Sequence, residues 1–89
     1  MKRYITDNTE TQVATGRVSK VIIQANATAA VTVKVIDGTS GTTANVATIG
    51  TLVAGAKFEY WDFTAGCRII ASGACDITVS ASQARGGNR

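Results

Sequence analysis

"GCRIIASGACDITVSAS", residues 66–82, decides how this chain folds. Cys67, Ile69 and Ala71 alternate with Arg68, Ile70 and Ser72, and after a glycine Cys75, Ile77 and Val79 alternate with Asp76, Thr78 and Ser80. Successive side chains of a strand point to opposite faces, so each run reads as a strand with one apolar face. A three-residue loop, Ser72-Gly73-Ala74, would join them as a hairpin pairing Ala71 with Cys75, Ile69 with Ile77 and Cys67 with Val79. A two-residue loop slips the register by one and sets Arg68 beside Ile77, so the apolar pattern selects the longer loop, with Gly73 at positive φ. In that register the two cysteines lie four steps apart, about 13 Å at roughly 3.3 Å per residue. A disulfide needs Cα atoms about 4.4–6.8 Å apart, so both thiols are expected to be free, buried and inert.

Outward from this stretch the same period continues. "VSKVIIQA" (18–25) sets Val21, Ile23 and Ala25 against Lys20, Ile22 and Gln24; "VTVKVID" (31–37) sets Val31, Val33 and Val35 against Thr32, Lys34 and Ile36; "KFEYWDF" (57–63) sets Phe58 and Tyr60 against Lys57, Glu59 and Trp61. A further short strand is expected around Val46–Ile49. Nine glycines and no proline punctuate the runs, and no helical period survives for long. The spacing predicts an all-β domain, a small antiparallel β-sandwich or jelly-roll-like barrel of about 6–8 strands. Residues 1–17 read as an N-terminal arm with a possible short strand around Lys2–Thr6 or Thr11–Thr15. Residues 18–82 read as the β-sandwich domain, and 83–89 as a flexible basic tail. The expected core is Val21, Ile23, Val31, Val33, Val35, Phe58, Tyr60, Ile69, Ile77 and Val79.

The 89 residues are 45% apolar and 17% charged, enough for one core, but that core is thin because its apolar residues are mostly Ala, Val and Ile. Small thin-cored domains often depend on partners. The absence of His removes the commonest general base and metal ligand. Two cysteines eight residues apart make a poor zinc set. "GTSGTT" (38–43) lacks the lysine of a phosphate loop and no helix follows it. Asp37 is the one carboxylate in "DGTSG", too few for calcium. Glu59 and Asp62 are an odd number of residues apart, which puts them on opposite faces of a strand. No enzymatic activity, metal or cofactor is expected. The sequence begins "MKRYITDNTETQ" without an apolar leader, so synthesis in the cytoplasm is expected, and no stretch is long and apolar enough for a membrane helix.

Four large apolar residues, Ile22, Ile36, Trp61 and Ile70, fall on the polar side of their strands. If those strands are neighbours, they form an apolar stripe suited to an interface. The net charge of +3 is concentrated at the ends, in Lys2, Arg3, Arg85 and Arg89, which would add salt-sensitive attraction to an acidic partner. There is no dense Lys/Arg groove for nucleic acid.

"VTVKVIDGTSGTTANVATI" followed by "GAKFEYWDFTAGCRIIASGACDITVS" resembles a pattern found in small structural proteins of tailed bacteriophages. The matching positions are Asp37 to Gly41, Gly55, Phe58, Tyr60, Phe63, Gly66, Gly73, Asp76, Ile77, Thr78 and Val79. The resemblance implies a structural virion component made in the host cytoplasm. The role it favours is a capsid decoration (cement) protein that binds the outside of the phage head and stabilises it. The major capsid protein would then be the partner, and the protein a homo-oligomer, a trimer being favoured, with no nucleic-acid or membrane partner. The alternative is a tail or head-fibre module that binds a host surface receptor. An 89-residue chain starting at Met1, without a stalk segment, is expected to favour decoration.

Overall fold

The computed structural model describes residues 2–7, 10–39 and 45–83. Eight strands form among them: β1 (Lys2–Ile5), β2 (Glu10–Thr15), β3 (Val18–Ala25), β4 (Val33–Asp37), β5 (Asn45–Ile49), β6 (Lys57–Phe63), β7 (Gly66–Ala71) and β8 (Ile77–Gln83). They make two four-stranded sheets, ordered β1-β8-β3-β6 and β2-β7-β4-β5, with every pairing antiparallel. The protein is a small β-sandwich.

Only β4 and β5 are consecutive strands within one sheet; every other connection crosses to the opposite sheet. The hairpin expected from residues 66–82 is therefore absent. β7 lies between β2 and β4, and β8 between β1 and β3. The alternation was read correctly, because Cys67, Ile69 and Ala71 point inward from one sheet and Ile77, Val79 and Ala81 point inward from the other. The partners were not. Residues 72–76 pass the chain between the sheets: Ser72 N bonds Thr32 O at 2.9 Å, Cys75 N bonds Thr6 O at 3.1 Å, and Asp76 O accepts from Asn26 N at 2.8 Å. Gly73 does not adopt positive φ; a Cβ there would meet Val31 Cγ1 at 3.2 Å.

The segment expected to be an arm with one possible short strand supplies two, and each lies at the edge of a different sheet. Val33, Val35, Val21, Ile23, Ile69, Ile77 and Val79 are fully enclosed, as expected. Val31, Phe58 and Tyr60 pack against that core but are only half-buried. The core also contains Ile5, Val13, Val18, Ile49, Leu52 and Phe63. Leu52 is in a connection, where Ala29 and Leu52 exchange backbone hydrogen bonds of 3.0 and 2.8 Å. The expected flexible tail lies outside the described residues, apart from Gln83 at the end of β8.

One end of the sandwich is tied down by Asp37. Its carboxylate accepts from the backbone N–H of Thr64 at 2.9 Å and of Ala65 at 2.8 Å, and from the Thr64 hydroxyl at 3.2 Å. Partial burial pushes this carboxyl upward, but the hydrogen bonds from Thr64, Ala65 and Gly66 outweigh it and hold Asp37 below its usual value. Gln12 Nε2 crosses the same end to Ala14 O at 2.7 Å, Gly38 O at 3.0 Å and Cys67 O at 3.1 Å. Gly66 has φ +145°, and a Cβ there would sit 2.7 Å from Ala14 O, so no side chain fits. This pinned β6–β7 turn sets the exit of β6. Asp62, at φ +63°, breaks the strand's alternation, so Trp61 points out and Phe63 points in.

Candidate interface on the outer face

The first sheet presents a face to solvent whose layout follows from its register. One row across it reads Lys2, Ser80, Ile22, Glu59; the next reads Tyr4, Thr78, Gln24, Lys57; a third reads Ser82, Lys20, Trp61. The central strands contribute mostly small hydroxyls, and the aromatic side chains stand at the two edges. Tyr4 is 70% exposed and Trp61 56% exposed, with Ile22 half-buried between them. At about 4.8 Å per strand and two residues per row, the two rings are about 20 Å apart along a diagonal. Lys20 Nζ lies 5.7 Å from the Trp61 ring centre and 3.4 Å from Glu59 Oε1, an arrangement that orients the indole beside a cation. Three lysines against one glutamate leave this face basic.

Of the expected interface residues, the structure brings together Trp61, Ile22 and Lys2. Arg3 is exposed on β1, opposite Val79. Ile36 and Ile70 belong to the other sheet, on the far side of the molecule, so the single apolar stripe is corrected to two separate faces. Ile36 is not exposed at all. It sits outside the main core cluster, with Arg68 and Asn45 opposite it in register. Ile70 is half-buried between Glu10 and Lys34 in register. The Arg68 guanidinium pairs with Glu10, and the Arg68 side chain is only 15% exposed. Long charged side chains cover apolar surface with their stems, so this second face is largely satisfied within one molecule. Arg85 and Arg89 lie outside the described residues.

Tyr4 was not read as a site residue. Its strand has four residues, too few to show a period, and only pairing with β8 puts it on the outer face. The register sets Lys20 beside Trp61 and Lys57 in the row of Tyr4.

Small depressions open on the described surface. One, about 230 Å³, surrounds Ile70 and is lined by Glu10, Thr32, Lys34 and Ser72. Another, about 190 Å³, lies near Arg17, Ser19 and Asp62. Both are smaller than the roughly 300–1,000 Å³ typical of small-molecule pockets. No cluster of three or more His, Cys, Asp or Glu able to hold a metal occurs among the described residues. Both cysteines are free thiols. Burial, and then the charge of Asp37, push the Cys67 thiol up to about 12. Cys75 is raised by partial burial and by Asp76 and Asp7. Neither is poised as a nucleophile.

No family model, curated protein or solved structure matches this chain.

Proposed function

We propose that this chain is a non-catalytic structural component of a tailed-phage virion, a decoration protein that binds the major capsid protein on the outside of the head. The resemblance, over roughly residues 18 to 80, supports the class, and a compact sandwich whose described depressions are small suits a role played by surfaces. The observation that carries the docking is the outer face of the first sheet, where Tyr4 and Trp61 stand exposed over a basic, hydroxyl-lined surface. Aromatic anchors set among small neighbours are the usual energetic centre of a protein interface, and the lysines match an acidic partner.

Adding purified protein to undecorated capsids tests this. Saturable binding in a fixed ratio to the coat subunit is expected, weakening as salt rises. Trp61→Ala and Tyr4→Ala should each abolish or severely weaken it, with an unchanged circular dichroism spectrum. Capsids that stay bare, combined with binding to host-envelope glycan, would replace decoration by the fibre reading. Binding that is indifferent to both substitutions would move the interface off this face.

A further inference from the structure

β6 ends its sheet, and its free edge is the longest of the four among the described residues. β1 has only four residues, and the ladders at β2 and β5 each contain a register shift. From Lys57 to Trp61 the pairing of β6 with β3 has no shift. The direction of its free groups follows from one hydrogen bond. Ala25 N donates to Ala56 O at 2.9 Å, so Ala25 turns its backbone polar groups toward β6. Antiparallel ladders alternate, so Ile23 and Val21 do the same, bonding Phe58 and Tyr60. Lys57, Glu59 and Trp61 therefore turn their N–H and C=O groups to the open side.

We infer that β6 pairs antiparallel with β6 of a second copy, about a two-fold axis at Phe58, joining two outer faces into one eight-stranded surface. Paired residues must share a face, so the axis can fall on Phe58, Glu59 or Tyr60. Charge chooses among these. An axis at Glu59 sets Glu59 against its own copy, which is repulsive. An axis at Tyr60 sets Glu59 opposite Trp61 and runs the ladder into the irregular Asp62. An axis at Phe58 sets Lys57 opposite Glu59 of the second copy, twice by symmetry, and stacks Phe58 on its counterpart. The half-buried Phe58 and Tyr60, which one molecule leaves partly open, are then covered. An edge-to-edge pairing of this kind closes at two, not at the trimer the phage resemblance favours. The inference is independent of the capsid proposal and stands whichever partner the outer face meets.

Sedimentation and amide exchange across a range of protein concentration provide the test. The wild type is expected to pass from monomer to dimer, with the amides of Lys57 and Glu59 slowing as dimer forms, while Phe58 and Tyr60 stay protected throughout. Lys57→Glu and Glu59→Lys should each weaken the homodimer about tenfold or more, with native circular dichroism spectra. Mixed together, the two variants should form a heterodimer, because each supplies the charge the other lacks. A wild type that stays monomeric at millimolar concentration would overturn the inference. So would exchange at the Lys57 and Glu59 amides that ignores concentration, or variants that fail to recombine.

Discussion

The two flanks of this sandwich are built from the same kinds of residue and end differently. On the β1/β2 flank, Ile5, Val13 and Ala14 are sealed from solvent. On the β5/β6 flank, Ala47, Phe58 and Tyr60 remain half-buried and Val46 is exposed. The difference lies in what crosses each side. Residues 72–76 run past the first flank, where Cys75 N bonds Thr6 O and Cys75 Sγ approaches Ile5 O at 3.6 Å. Residues 50–56 cross on the second flank, where Leu52 is enclosed and bonded to Ala29, yet they leave Phe58 and Tyr60 half-buried. Phe58 and Tyr60 thus stay partly open on a flank where Phe63 and Ile49 are enclosed, which is the arrangement of an interface.

Truncations on the two flanks test that contrast most strongly. Ile69→Ala at the centre and Ile5→Ala on the sealed flank should each destabilise by about 2–5 kcal/mol in urea unfolding. Phe58→Ala removes a larger side chain. At dilute concentration it should nevertheless cost well under the about 3–5 kcal/mol expected of a fully enclosed Phe. A Phe58 cost equal to that figure in the monomer would mean the second flank is closed after all. A cost that grows with protein concentration would show a second copy covering it.

Asp37 comes next. Asp37→Asn keeps the shape but loses the charge that three backbone N–H groups share, and should cost about 1 kcal/mol at neutral pH once water access to this carboxylate is allowed for. The sign follows from the lowered folded pKa. The unfolded carboxyl titrates near 3.8, so the contribution is complete above that value and is lost as pH falls through the lower folded value. Wild type and Asp37→Asn should therefore converge in stability below about pH 4. A constant gap down to strong acid would mean the carboxylate's charge contributes nothing.

The strand faces were legible in the sequence because burial imposes a period of two, and β3 and β6 were read with the bounds they have. The pairing of β7 was not. A hairpin and two strands facing each other across a core require the same inward residues, Ile69 and Ile77 among them, so alternation alone cannot separate them. Leu52 had no pattern around it; it is buried in the core cluster from a connection that a distant Ala29 bridges. The outer site was half legible for the same reason: Trp61 and Ile22 were named correctly as outward residues, but only strand order puts them on one face and Ile70 on the other.

Surface substitutions should then separate face from fold. Trp61→Ala and Ile70→Ala should each change unfolding stability far less than Ile69→Ala, since one side chain is largely exposed and the other half-buried. Only Trp61→Ala should alter docking. Loss of the folded state on replacing Trp61 would instead place the indole in the monomer's own core and remove the distinction between the faces.

The smallest expected effect is a titration. Partial burial raises the Tyr60 phenol above its ordinary value of 10.0. For an acid, a raised folded pKa means that the folded state keeps its proton after the unfolded chain has lost it. Tyr60 therefore supports folding below about pH 10, and that support is lost as pH rises through the folded value. In the β6 pairing Tyr60 lies opposite Ala56 of the second copy and is covered further, so its ionisation should move still higher as the protein is concentrated. Ultraviolet titration of a Tyr4→Phe variant isolates this phenol and reads the shift directly. Movement of the midpoint with concentration ties the open flank to the dimer. A midpoint that is raised but fixed means the flank stays open and β6 meets no second copy.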